Sequence, residues 1–211
     1  MLGLQKPITV LKLDSIRIPL YSDATTFIRS WAEALFSDIL PCDTPPWPRV
    51  REVMANLSKS LPDSILLAFS LQLATMARAS EILSLTGADF DYIKSRVTLM
   101  QTKTGRKREA NIPDTLNEAI FMLKLRPQDQ LFPMLTYKRY KEVLFKKNLI
   151  LVQCSKRHDK THFLRYLPAL ARHCAENPVD YIRAQMGHAS LNSTMHYLAA
   201  LPTYLNQLER R

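Results

Sequence analysis

Long apolar runs are missing from this 211-residue chain. Without one, neither a membrane-crossing helix nor a cleavable signal peptide is readable, and a soluble intracellular protein is expected. Cysteine is scarce, since Cys42, Cys154 and Cys174 form neither an even framework nor a close pair along the chain, so reduced thiols are expected. Also absent are internal repeats, low-complexity tracts and any cluster of Asp and Glu suited to holding magnesium. What the chain has in excess is positive charge: 29 Lys plus Arg against 19 Asp plus Glu, a net +10. That balance favours a polyanionic partner, nucleic acid first, although a cationic surface serving only solubility has the same bulk composition. A hydrophobic content of 46% is ordinary for a globular chain with a real core.

Residues 1–22 mix apolar side chains with Pro7 and Pro19 and show no period. From Asp23 to Leu40, Phe27, Trp31, Ala34, Leu35 and Ile39 recur at helical spacing, and one amphipathic helix with Asp23 as N-cap is expected. "PCDTPPWP" (41–48) then breaks regular structure. Two parts follow from this: residues 1–46, a lead with one helix and a Pro-rich linker, and residues 47–211, the main domain. Further helices are expected over 49–57, over 63–76 with Asp63 as its cap, and within "RASEILSL" (78–85), where Gly87 stands near the C-terminal cap position. The period then changes, and 95–113 reads as two strands around Gly105, a hairpin whose tip carries Lys103, Arg106, Lys107 and Arg108. Helical spacing returns over 116–125, 137–149, 161–175, 179–186 and from 193 onward, with Pro168 expected to kink or break the third of these. The fold class is α+β, mostly helical with a small antiparallel sheet.

Chemistry on a phosphodiester without metal needs guanidinium forks on the non-bridging oxygens, an acid for the leaving oxygen and a nucleophile opposite it. Arg78 opens a short helix whose Glu81, three residues on, can orient it; a surface salt bridge is the bland alternative. His162 and Arg165 in "HFLR" lie one helical turn apart, and Lys103 sits on a basic turn that is equally at home in solvent. His188 follows Gly187, and Tyr197 comes nine residues later in "GHASLNSTMHYL", where core packing is the ordinary fate of a tyrosine.

In order, "MARASEILSL", "TKTGRK", "HFLR", "MGH" and Tyr197 resemble the catalytic domain of the tyrosine recombinases, the phage-integrase type. The resemblance runs from about Trp47 onward. It implies a DNA breaking and rejoining fold and a site-specific recombinase. Arg78 and Arg165 would bind the scissile phosphate, Glu81 would hold Arg78, and Lys103 would be the general acid toward the 5′-oxygen. His162 and His188 would hydrogen-bond the phosphate, His162 also assisting the nucleophile's proton, and Tyr197 would attack to leave a 3′-phosphotyrosyl bond. Lys103, Arg106, Lys107 and Arg108 would contact DNA. Double-stranded DNA is the implied partner, a homotetramer on two DNA sites an implied assembly, and no metal, nucleotide or other cofactor is implied.

Within the last motif, Leu191 and Met195 are expected to pack and His196 to stand by. The family usually has Gly where Met76 stands, which asks for a turn without positive φ. Tyr166 replaces a common second histidine, and Met186 a usual leucine; neither change removes a reactive group. Family members also carry an upstream helical domain that grips the far face of DNA, and 46 residues are too few for it. A catalytic-domain fragment and a minimal recombinase with its clamp supplied from elsewhere both fit. Two other functions share the composition: a non-catalytic DNA-binding regulator on the same fold, and a related type IB-like topoisomerase. A zinc site from Cys154, His158, His162, His173 and Cys174 is disfavoured, because they do not form two close ligand pairs.

Overall fold

The computed structural model describes residues 11–13, 16–101, 105–146 and 160–199. Its lead is not irregular: β1 (Leu11–Leu13) and β2 (Ile16–Ile18) pair antiparallel, Leu11 opposite Ile18. The single helix expected over 23–40 is two, α1 (Ser22–Ser30) and α2 (Ala32–Ile39), separated at Trp31 (φ −110°, ψ 17°). Trp31 is 54% exposed and does not belong to the core face. Breaking there lets Ile28 of α1 and Leu35, Phe36 and Ile39 of α2 all reach the interior. Asp23 is no cap either. It lies in the first turn, after Tyr21 at the N-cap, where its charge still complements the exposed N–H groups.

α3 (Trp47–Ser58) begins inside the Pro-rich stretch, with Pro48 in the first turn where its missing N–H costs nothing. α4 (Asp63–Thr75) is buried at every residue from Ile65 to Thr75, as a helix apolar on all sides requires. Pro62, not Asp63, is its N-cap. The Asp63 carboxylate instead accepts from Arg29 Nη2 at 2.7 Å, while Arg29 also donates to the Leu61 and Ser58 carbonyls. Arg172 does the same farther along, donating to the Ile39 carbonyl at 3.0 Å. Helices on both sides of the proline stretch therefore share one core, which runs from Ala24 to Leu198.

The short helix α5 (Ala79–Leu83) ends at Ser84. Gly87 does not cap it but opens a 3-10 turn, Gly87–Asp89, where a Cβ would lie 2.2 Å from the Arg126 carbonyl oxygen. A strand not anticipated, β3 (Phe90–Asp91), joins the expected hairpin strands β4 (Arg96–Met100) and β5 (Lys107–Asn111) in an antiparallel sheet of order β3-β4-β5. Val97 pairs with Ala110 and Leu99 with Arg108, which sends Val97, Leu99 and Ala110 inward. The remaining helices are α6 (Asp114–Phe121), α7 (Tyr137–Lys146), α8 (Phe163–Cys174, led by a 3-10 turn at Lys160–His162), α9 (Val179–Met186) and α10 (Leu191–Leu198). The fold is the expected α+β arrangement. α8 runs through Pro168 as one helix, because it is buried from Phe163 to Arg172 and packing outweighs one lost hydrogen bond. Among the described residues no helix is long and apolar enough to cross a membrane.

Met76 overturns the expected turn. It takes the left-handed conformation (φ 51°, ψ 32°) as C-cap of α4 while fully buried with Ala169, Ile182 and Met186. The conformation costs a non-glycine residue about 1–2 kcal/mol, whereas losing a buried methionine side chain costs about 2–5 kcal/mol. Met76→Gly is therefore expected to destabilise the protein on balance, by about 1–3 kcal/mol, read as a lower urea midpoint. A variant as stable as the parent would mean that relief of backbone strain fully offsets the lost packing.

Candidate active site

Glu81, in the middle of α5, is fully buried and carries a carboxylate. Left unpaired, a charge there would be prohibitive, so its partners are fixed by need. Arg78 supplies two, its Nη1 donating to Oε1 at 2.7 Å and its backbone N–H to Oε2 at 3.1 Å. The second is the reciprocal half of a helix cap, so the pair that orients Arg78 also starts α5. Arg78 itself stays 30% exposed, facing outward from this anchor.

A third donor comes from the hairpin. Arg108 of β5 turns inward, its side chain 7% exposed, and donates through Nη2 to Glu81 Oε2 at 3.4 Å. Its Nη1 also donates to the Gln185 and Thr75 carbonyls. Burial lowers its pKa and Arg78 lowers it further, while Glu81 opposes both. Arg106 and Lys107 remain exposed, whereas Arg108 is spent inside the protein. Lys103 lies outside the described residues.

Arg165 on α8 is fully buried and donates through Nη2 to the Met186 carbonyl at the end of α9. His162, one turn earlier, meets the edge of Tyr166 with ring centroids 5.6 Å apart. What places this end of α8 is Gln72. Its Nε2 donates to the Thr161 carbonyl at 3.0 Å and the Ala77 carbonyl at 3.3 Å, and its Oε1 accepts from the buried Tyr140 hydroxyl at 2.8 Å. A cleft of about 190 Å³ opens beside it, lined by Arg78, Ser80, Tyr137 and His162.

His188 follows the left-handed Gly187 (φ 65°), which closes α9 by donating to the Ala184 carbonyl while His188 N–H reaches the Arg183 carbonyl. A Cβ at 187 would lie 2.3 Å from Gln101 Nε2 and 2.5 Å from Arg108 Cδ, so any other residue would displace both side chains and strain the positive φ. Gln101 donates to the Gly187 carbonyl at 2.9 Å, tying the hairpin to this turn. The imidazole Nδ1 sits 3.0 Å from the Thr194 hydroxyl. Burial, then Arg165, Arg78, Arg108 and His162 in that order, push its pKa down to about 4. Residues spread over 78–188 thus act electrostatically on one imidazole. Tyr197 lies on α10, but its side chain falls outside the described residues.

A family model described as the phage integrase family matches residues 48–203. The chain belongs to the phage integrase family. Its fold is that of a tyrosine recombinase catalytic domain, and by class it is a DNA recombinase. The catalytic domain of bacteriophage HP1 integrase is similar over 92% of this chain and 94% of that one, at 19% identity and TM-score 0.52. XerH site-specific recombinase bound to its difH substrate, before cleavage, is similar over 89% of this chain at 18% identity and TM-score 0.50. This chain covers 52% of the XerH chain. No curated protein matches the sequence.

Within this integrase-family fold, Arg78, His162 and Arg165 lie near enough to His188 to act on its charge, and Glu81 accepts from Arg78. Gln72 and the inward turn of Arg108 were not anticipated. A lone glutamine in "SILLAFSLQLAT" was the available signal, because a polar group inside so apolar a helix must be satisfied by something structural. Leu191 and Met195, expected to pack, are 45% and 48% exposed, while Thr194 and Leu198 face inward. Among the described residues no three His, Cys, Asp or Glu side chains group as metal ligands. Cys154 and His158 lie outside the described residues. Cys174 has Cys42 and Trp47 as neighbours, and burial raises its thiol pKa.

The depressed pKa of His188 has a thermodynamic consequence. Above pH 6.5 the group is neutral in both folded and unfolded chains and contributes nothing to pH dependence. As pH falls from 6.5 toward 4, the unfolded chain takes up a proton that the folded one refuses, so stability is lost across that window. His188→Gln should remove up to one proton from this acid slope, measured as urea midpoints between pH 7 and pH 4. An unchanged slope would show that His188 titrates normally.

Proposed function

We propose that this chain cleaves and rejoins DNA strands through a 3′-phosphotyrosyl intermediate at Tyr197. The observation that carries the reading is the convergence of Arg78, Arg108, Arg165 and His162 around His188, with α10 following directly. Such a concentration of cationic donors suits a phosphodiester. Arg78 and Arg165 stabilise the oxygens on which charge grows as the phosphorus becomes five-coordinate. His188 adds a hydrogen bond without a further full charge.

The Tyr197 phenolic oxygen attacks phosphorus, its proton leaving toward His162. The bond from phosphorus to the 5′-oxygen breaks, and Lys103 donates a proton to that oxygen. Rejoining runs the same steps backward from a DNA 5′-hydroxyl. Cationic side chains do here what a metal does for other phosphoryl transfers, and the phosphotyrosyl bond conserves the energy of the broken strand, so no nucleotide is consumed. A phenol of pKa about 10 needs such neighbours to react.

Residues 47–211 form the catalytic unit in this reading, with α1 and α2 packed onto it. Exposed Arg106 and Lys107 follow the DNA backbone, and a tetramer on two DNA sites performs the exchange inside the cell. The likeness in fold to HP1 integrase and to XerH site-specific recombinase bound to its difH substrate supports a DNA-acting recombinase.

The test starts from a duplex selected by binding out of a random-sequence pool and then nicked beside each candidate scissile position. The parent protein should give a covalent adduct on a denaturing gel, and Tyr197→Phe none; equal trapping by both would sink the nucleophile assignment. Arg165→Lys keeps the charge but loses the planar fork, and should slow adduct formation by about 100-fold or more with little change in DNA affinity. Equal losses in rate and affinity would make Arg165 an ordinary backbone contact.

A further inference from the structure

Thr194 has no part in the reaction as derived so far, yet it is fully buried and its hydroxyl lies 3.0 Å from His188 Nδ1. It stands on α10, three residues before Tyr197. We propose that Thr194 is a positioning residue: its hydroxyl donates to Nδ1 and so holds His188 in the tautomer that carries its proton on Nε2, ready to donate to the phosphate. The inference rests on the recombinase reading for its consequence, but not for the tautomer itself.

A neutral imidazole has one N–H, and which nitrogen carries it decides whether the ring can donate to an anion. Burial first, then three guanidiniums, disfavour a proton added to the His188 ring. The ring therefore works neutral, with a single donor. Since Nδ1 is engaged by Thr194, the phosphate must be served from Nε2, which requires Nδ1 to accept. A hydroxyl can donate; a methyl in its place cannot. Were the proton on Nδ1 instead, the Nε2 lone pair would face the phosphate oxygens and repel them.

The same bond has a mechanical side. His188 sits on the turn closing α9, and Thr194 is one helical turn ahead of the nucleophile's position on α10. Loss of the hydroxyl thus affects both the hydrogen on Nε2 and the placement of the segment that bears Tyr197. Threonine and valine share their shape, which makes the substitution a test of the hydroxyl alone.

Two measurements on the full chain decide this. In long-range nitrogen-proton NMR spectra at neutral pH, with His188 assigned by its loss in His188→Gln, the parent should show Nε2 protonated and Nδ1 bare. Thr194→Val should shift the ring toward the Nδ1–H form, and Thr194→Ser should restore the parent spectrum. On the nicked duplex selected above, Thr194→Val should slow adduct formation by roughly 10-fold at unchanged DNA affinity, with Thr194→Ser restoring it. Added to His188→Gln, Thr194→Val should slow the reaction no further. A parent His188 protonated on Nδ1, or Thr194→Val trapping DNA at the parental rate, would overturn the proposal. If the parent traps no DNA at all, the recombinase reading fails, while the NMR spectra still decide the tautomer.

Discussion

One carboxylate buried out of reach of water, Glu81, is what the cationic site is assembled on. An isolated charge at that depth would cost several kcal/mol, and Arg78 and Arg108 both answer it. They come from segments about thirty residues apart, α5 and β5, so satisfying Glu81 fixes the hairpin against the helix start. Arg108 extends the link to the Thr75 and Gln185 carbonyls, and Gln101 adds the Gly187 carbonyl. The turn that presents His188 is thereby fastened to the same hairpin that carries Lys103 in sequence.

Glu81 forms ion pairs with Arg78 and Arg108, and Arg165 donates to the Met186 carbonyl. All three guanidiniums help keep the His188 ring from protonating. An anion bound beside them would ease that mutual repulsion. A site of this kind needs a rigid frame, and α4 provides it: wholly buried, with Gln72 as the polar member that positions the start of α8. The ties from Arg29 to Asp63 and from Arg172 to Ile39 extend the frame to α1 and α2.

Legibility in the sequence followed the range of the interactions involved. Arg78 and Glu81 were readable because both partners lie within one helical turn, and His162 with Arg165 for the same reason. The hairpin was readable from Gly105 and the change of period. Trp31, Gly87 and Met76 were misread, each because a distant neighbour overrides local preference: the shared core beneath α1 and α2, the Arg126 carbonyl, and the pocket of Ala169 and Met186. Arg108 was hidden differently. In a run of cations at a hairpin tip, alternation along β5 sends one side chain inward, and composition cannot say which cation meets a buried acid.

The neutral state of His188 also explains why an imidazole serves at this position where a fourth guanidinium would not. A further fixed charge among Arg78, Arg108 and Arg165 would deepen the repulsion in the empty site. A neutral ring donates a hydrogen bond at far lower electrostatic cost. That advantage would exist only with the proton on Nε2, which places the requirement on the fully buried Thr194 beside Nδ1. Thr194 belongs to the same helix as Tyr197, so one hydrogen bond links the imidazole on the turn after α9 to α10, the segment that would deliver the nucleophile in the proposed reaction.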